Sequence, residues 1–263
     1  QDDEGKSGGM RMVEEGALHE VAAVFGLHVN PDKPVGTAST RPGPLLAAAD
    51  TFKISLHGPG GHAASPHETI DTIALAGLMI QAIHQLVSRR LNPLESGVVT
   101  IGTIHGGTVD NIIPDRVVLT GTLRSFTQAS RQILFTELEK AARIVEPLGA
   151  KVEISILPGY PPTINDEIAT ARMRSAAQAI LGQANVSLAE PEMGAEDFSF
   201  LAQASPGCFL LLGTQDPNWA EPACQLHQPN TQISEAALPY GAAILVATAL
   251  EWMNTQSRVD RNG

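Results

Sequence analysis

The chain predicts an α/β protein with a smaller antiparallel α+β module set inside it, and three observations carry that prediction. Between residues 51 and 157, short β-branched segments alternate apolar and polar residues. Segments with apolar residues three and four apart separate them, giving the order strand, helix, strand, strand, helix, strand. On either side of this block, helix-like and strand-like segments alternate singly. A chain of 263 residues with 43% hydrophobic side chains also exceeds the length that one core usually serves, so two domains are expected.

The chain opens on a polar, Gly-rich stretch, QDDEGKSGG, without a Met, charged leader or apolar signal region, which reads as the start of a fragment or processed chain. Met10 to Leu18 is expected to be a short helix. Val21 to Val29 is expected to be a strand that delivers His28 near its end. Four prolines from Pro31 to Pro44 punctuate the connection that follows. TFKISLHG then places Phe52, Ile54 and Leu56 on one face of a half-buried strand, and the loop GPGGHAASPHE follows it. Ile70, Ile73, Ile80, Ile83 and Val87 predict a helix over Thr69 to Arg90.

Gly97 to His105 and Arg116 to Arg124 read as strands. A helix with Leu134, Leu138, Ala141 and Val145 on one stripe comes next, and Lys151 to Leu157 closes the set. This order is that of a ferredoxin-like split βαβ module. After GYPPT, a helix (Asp166 to Leu181), a strand (Gly207 to Gly213) and a helix (Glu235 to Trp252) resume the outer pattern. The expected domains are therefore 1–48 and 161–263 as two parts of one α/β domain, interrupted by 49–160.

The formal charge of −11 argues against nucleic acid and anionic membrane surfaces, which are held by clustered Lys and Arg. The longest apolar runs, Cys208 to Leu212 and Ala242 to Leu250, fall short of the roughly 20 residues that a membrane-spanning helix requires. Two cysteines, Cys208 and Cys224, in so long a chain fit reduced thiols and a cytoplasmic location.

Several polar groups fall where chemistry is done. Asp3 and Glu4 are adjacent carboxylates in a Gly-rich loop, which can divide the work of holding a metal and accepting a proton; a solvated acidic terminus is the plainer alternative. His28 ends an apolar strand, where open α/β sheets place ligands, and His227 lies in QLHQP after a Pro-rich loop. Two imidazoles and a carboxylate suit zinc, cobalt or manganese. Each imidazole taken alone reads equally as a satisfied core or loop histidine. In the module, His62 stands in GGHAASPH and His105 at a strand end, DNIIPD offers Asn111, and Arg124 is a guanidinium suited to a carboxylate. Glu196 and Asp197 in GAEDF read as charge at the start of a helix.

Taken in order, DEGKSGG, VFGLHV, RPGPLLAAAD, GPGGHAASPH, PLESGVVTIGTIHGGT, NIIPD, GTLRSF, GYPPTIND, MGAEDF, LHQP and EAALPYGAA resemble the aminoacylase, hippurate hydrolase and auxin-conjugate (IAA-amino acid) hydrolase family of binuclear-metal amidohydrolases. That family is related to carboxypeptidase G2-like and succinyl-diaminopimelate desuccinylase-like metallopeptidases. The resemblance implies a zinc-peptidase-like α/β/α catalytic domain, here partial, interrupted by a lid domain that dimerises. It also implies hydrolysis of N-acyl-amino acids by a water bridging two divalent ions (Zn, Mn or Co).

By position, Glu4, His28 and His227 are implied as metal ligands, Asp3 as general base and His62 as a lid histidine reaching a neighbouring subunit's site. Asn111 and Arg124 are implied to hold substrate. Two features depart from the family pattern. The base position carries Asp where the family has Glu, and the family's further ligands, in an upstream Cys-Gly-His-Asp segment, have no counterpart here. The chain is thus expected to be an N-terminally truncated part of such an enzyme, lacking the full site by itself. The competing readings are a defective, non-catalytic homologue acting as a dimeric binding protein, and a dipeptidase or aminopeptidase of the same fold.

Overall fold

The computed structural model describes residues 7–219 and 226–259. In chain order its elements are α1 (Gly8–Glu14), β1 (Val24–Pro34), β2 (Ala38–Thr40), β3 (Gly43–Leu46), β4 (Ala48–His57), β5 (Gly61–His62), α2 (Thr72–His84), α3 (Leu86–Arg90), β6 (Gly97–Gly106), β7 (Ile112–Ile113), β8 (Arg116–Ser125) and α4 (Gln128–Ala142). There follow β9 (Lys151–Tyr160), β10 (Thr163–Asn165), α5 (Glu167–Leu181), β11 (Val186–Leu188), α6 (Phe198–Ala204), β12 (Gly207–Gln215) and α7 (Leu238–Val259). They sort into two compact units. One is built on Ala47–Pro162 with the short piece Met193–Ala195, and the other on Ser7–Leu46, Thr163–Glu192 and the residues from Glu196 onward.

In the Ala47–Pro162 unit, β6, β8, β4 and β9 form an antiparallel sheet in that order. Its alternation is plain on β8, where Val117, Leu119 and Leu123 are buried. They meet Phe52, Ile54 and Leu56 of β4 and the buried stripes of α2 and α4 in one continuous core. Asp71 caps α2 by accepting from the amides of Ile73 and Ala74, and Thr127 caps α4 through the amide of Ser130. The helix expected over Thr69 to Arg90 is interrupted at Gln85, and beyond that break Leu86 and Leu91 are both buried in the core.

One polar pair sits inside this unit. Asp50 is 1% exposed and Arg131 7%. Arg131 Nε donates to both carboxylate oxygens at 3.0 and 3.2 Å, Nη2 donates to Oδ1, and the amide of Gly159 donates to Oδ1 at 2.9 Å. A buried charge held by a bidentate partner and a backbone donor has its desolvation offset within the fold.

In the second unit the sheet order is β1, β12, β2, β11. β1 is parallel to β12, β12 is antiparallel to β2, and β2 is parallel to β11. β12 is buried throughout except at its last residue, as a strand covered on both faces must be. Cys208, Leu210 and Leu212 face α5 and α7 with Phe25 and Leu27, whereas Phe209 and Leu211 face α6 with Val24 and Phe198. Asn165, 2% exposed, ties β10 into this sheet. Its Oδ1 accepts from the amide of Phe209 at 2.8 Å, and its Nδ2 donates to the carbonyls of Arg41 and Phe209 at 2.9 and 3.0 Å.

α7 corrects the sequence reading of membrane spans. Glu235–Asn254 is long and apolar enough to cross a membrane by length and composition alone, and only 22% of its most apolar window is buried. The run-length criterion passes over it because small residues dilute each run. One side of α7 lies on the sheet, with Ile244 fully buried. There Gly241 sits so close that an added Cβ would stand 3.0 Å from Leu212 and 3.3 Å from Leu27. On its other side Val246, Leu250 and Met253 are 60%, 56% and 65% exposed.

Candidate functional site

The second unit places His28 in the middle of β1, paired in register with Leu211 of the parallel β12; the strand runs on to Pro34 instead of ending at Val29, because its pairing with β12 continues through Asn30 and Pro34. Successive side chains alternate between faces, so His28 shares the face of Val24 and Gly26, the side on which α6 packs. The ring is half-buried, and its Nδ1 lies 2.8 Å from the carbonyl oxygen of Val29. A carbonyl only accepts, so Nδ1 carries the proton and donates, which leaves the Nε2 lone pair of the neutral ring available. Fixing a tautomer through a backbone carbonyl is how ligating imidazoles are commonly oriented.

The turn Glu196–Phe198 is set against this face of β1. Phe198 packs on Gly26, where an added Cβ would stand 2.9 Å from the Phe198 ring and 2.9 Å from the Phe209 ring. Asp197 Oδ2 accepts from the amide of Gly9 at 2.8 Å, joining the turn to the first residues of α1. That approach admits only glycine, because a Cβ on Gly9 would lie 2.4 Å from the carbonyl oxygen of Asp197. Glu196 Oε1 accepts from the amide of Asp197 at 3.0 Å. Burial first, and then its hydrogen bond to Asp197, hold the Glu196 carboxyl above its ordinary range. The amide of Phe198 and the nearby His28 imidazole pull the other way.

His227 is exposed and adopts φ +66°. That left-handed backbone is uncommon for a residue with a Cβ and recurs at functional sites. Asp3 and Glu4 lie outside the described residues. Among the described residues, no three His, Cys, Asp or Glu side chains gather as a metal-holding group.

In the Ala47–Pro162 unit, His62 and Asn111 are neighbours. β5 pairs with β7 antiparallel, His62 opposite Ile112, and the amide of Ala63 donates to the carbonyl of Asn111 at 3.0 Å. His62 is exposed, and its Nδ1 accepts from the amide of Ala64 at 3.0 Å. The neutral ring therefore carries its proton on Nε2, pointing a donor outward. Arg124 is not in this group. It lies near the far end of β8, opposite Ala49 and Val98, eight residues beyond Arg116 and so roughly 27 Å along an extended strand. His105 is exposed near the end of β6.

The sequence pattern alone reads Glu196 and Asp197 as charge at a helix start. Asp197 precedes α6 yet makes no side-chain cap to it; its carboxylate is spent on Gly9, 188 positions away. A local pattern cannot reveal a partner so distant in sequence. The Gly8-Gly9 pair was the available signal.

Comparison with known proteins places these features in a family. The model of peptidase family M20/M25/M40 matches residues 1–251. The chain is 38% identical over 264 residues to IAA-amino acid hydrolase ILR1-like 2 of Arabidopsis thaliana, covering 97% of this chain and 58% of the relative. It is 38% identical over 261 residues to N-acetyl-L-cysteine deacetylase of Bacillus subtilis, covering 98% of this chain and 61% of that protein. In structure it superposes with TM-score 0.78 and 30% identity on the YXEP protein of Bacillus subtilis, described as a dinuclear metal binding peptidase, over 94% of this chain and 62% of that one. The chain thus spans about three fifths of the length of these relatives.

Proposed function

The chain belongs to peptidase family M20/M25/M40, and we propose that the intact protein hydrolyses the amide bond of N-acyl-amino acids with the help of two divalent metal ions. The relatives named as an IAA-amino acid hydrolase and an N-acetyl-L-cysteine deacetylase support the substrate class. The observation that carries the reading is His28, half-buried on β1, whose Nδ1 donates to the Val29 carbonyl and so leaves the Nε2 lone pair as the ligating one. An imidazole fixed in this way is a donor suited to zinc, manganese or cobalt.

In this reading His28, Glu4 and His227 hold the metal ions, with further ligands supplied by other parts of the intact protein. When bound, the ions would polarise the scissile carbonyl and make a water more acidic. Asp3 would accept a proton there, and Arg124 would grip the substrate carboxylate through its planar fork. His62 donates its Nε2 proton in a hydrogen bond to the oxyanion that develops on the amide carbonyl, and Asn111 supports it from the adjoining strand pair.

The spacing along β8 bears on assembly. His62 and Asn111 stand at one end of the module and Arg124 at the other. One substrate is therefore reached most simply if the His62 hairpin serves the site of a second subunit in a two-fold dimer.

The test is release of amino acid from N-acetyl and N-benzoyl conjugates by the intact protein. His28→Ala should abolish it. His62→Ala should lower kcat by about 100- to 1000-fold, as loss of an oxyanion donor does. Mixing His62→Ala subunits with Glu4→Ala subunits should recover activity if the hairpin acts across the interface. A mixture that stays inactive with subunit exchange verified would remove the cross-subunit role, and undiminished turnover by His28→Ala would remove the metal assignment.

A further inference from the structure

The hairpin that carries His62 sets an apolar side chain beside it. β5 and β7 pair antiparallel, with Gly61 opposite Ile113 and His62 opposite Ile112. The amide of Ala63 donates to the carbonyl of Asn111 at 3.0 Å. Ala63 and Asn111 therefore form a hydrogen-bonded pair of the ladder, and His62 and Ile112, one step along, form a non-hydrogen-bonded one. At such a position the two Cα atoms stand about 4.5 Å apart, and the side chains lie on one face at their closest. The other face of the hairpin turns inward: Ile113 is buried, and a Cβ on Gly61 would lie 3.1 Å from Thr69. The His62 and Ile112 face turns outward, and both residues are exposed.

Ile112 also lines a groove of about 540 Å³ whose walls include Pro59, Gly60, Gly107 and Pro114. That volume lies within the range of small-molecule sites. Gly60 and Gly107 adopt φ +67° and +79°, a backbone that keeps out the side chains that would otherwise fill the groove. Two charges border it, Asp115 and Arg116. They are opposite in sign, and the Arg116 guanidinium donates to Ser55 Oγ at 2.9 Å. The groove thus suits an uncharged group better than a carboxylate.

We propose that Ile112 is a specificity-determining residue which, with this groove, receives the acyl group of the substrate and favours bulky apolar acyl groups over acetyl. The inference rests on the reading of His62 as donor to the amide carbonyl. That carbonyl carries the acyl chain on one side and the amide nitrogen of the amino acid on the other. The amino acid half bears the carboxylate, which Ile112 would desolvate without pairing, so the acyl half is the one that fits beside it.

Amino acid release from N-acetyl-alanine, N-benzoyl-alanine and N-benzoyl-phenylalanine is compared for the intact protein and its Ile112→Ala, Ile112→Val and His62→Ala variants, with melting temperatures followed in parallel. Ile112 is exposed, so its truncation leaves the core intact. For Ile112→Ala the expected kcat/KM is about tenfold lower on both benzoyl conjugates and within about twofold of wild type on N-acetyl-alanine, with Ile112→Val close to wild type throughout. An equal loss on acetyl and benzoyl conjugates would mean that Ile112 only supports the hairpin. A loss that follows the amino acid instead of the acyl group would put the groove at the other half of the substrate. Either result overturns the proposal. If His62→Ala slows all three conjugates alike while Ile112→Ala shows no acyl preference, the specificity role is wrong and the role of His62 stands. If His62→Ala turns over all three as the wild type does, His62 is not the donor, and this inference falls with it.

Discussion

The Ala47–Pro162 unit and the unit around β1 and β12 both bury a polar lock, but they do so with opposite chemistry. In the first, the lock is the charged pair Asp50 and Arg131, enclosed by one continuous core that joins the sheet to α2 and α4. In the second it is the neutral Asn165, which satisfies backbone groups of Phe209 and Arg41 between two smaller clusters on either face of the sheet. Both units leave apolar side chains in water, Leu94, Val109 and Ile112 being 94%, 51% and 54% exposed in the first. The second unit leaves Val246, Leu250 and Met253 of α7 facing water. The first unit thus packs its sheet against α2 and α4 in a single core, where the second covers β12 on both faces. The second carries His28 on the α6 side of its sheet and has an apolar helix side that nothing among the described residues covers.

The largest expected effect is at the charged lock. Asp50→Ala strands the Arg131 guanidinium in the core and should destabilise the protein by about 3–5 kcal/mol in urea unfolding. Zn2+ affinity should not change. A loss below 1 kcal/mol would show that water reaches Arg131 and that the contrast between the locks is overstated.

Next comes α7. Ile244→Ala on its buried side should cost about 2–5 kcal/mol, whereas Val246→Ser on its wet side should stay within about 0.5 kcal/mol. Similar losses at both positions would mean that Val246 is covered in the intact protein. Asn165→Ala should be milder than the charged lock, at about 1–3 kcal/mol for the buried backbone groups left unpaired.

The smallest effect concerns Cys208, whose thiol burial pushes up from the ordinary 9.0. A raised folded value means that stability is fully present below the ordinary value and falls as pH climbs past it toward the folded one. Cys208→Ala should therefore flatten the alkaline decline in stability. Peptide mapping after iodoacetamide treatment at pH 8 should find Cys208 unmodified unless urea is present.

Much of this fold was legible because its strands are long enough to show a period. β4, β6, β8, β9 and β12 all lie where alternation or an apolar run placed them. β2, β3, β10 and β11 are three or four residues long, too short for a period to exist, and tertiary pairing alone makes them strands. α1 ends at Glu14, short of the expected Leu18, as the chain turns through Gly16 at φ +83°. Asp50 could have been recognised as buried: it has the parity of Phe52, Ile54 and Leu56, and Arg131 lies on the stripe of Leu134 and Leu138. In the site, His28 and His62 were visible from their neighbours in sequence. The roles of Asp197 and Gly9 were not, since their bond spans most of the chain.

The central claim is that hydrolysis depends on metal held in part by His28. Metal content and amino acid release should be measured together on the intact protein, before chelation, after it, and after Zn2+ or Mn2+ is returned. Close to two divalent ions per chain are expected, with loss of both metal and turnover on chelation and recovery of both on return. In His28→Ala the metal should fall and turnover should not recover. Turnover on N-acyl-amino acids that persists after the metal is fully removed would contradict it.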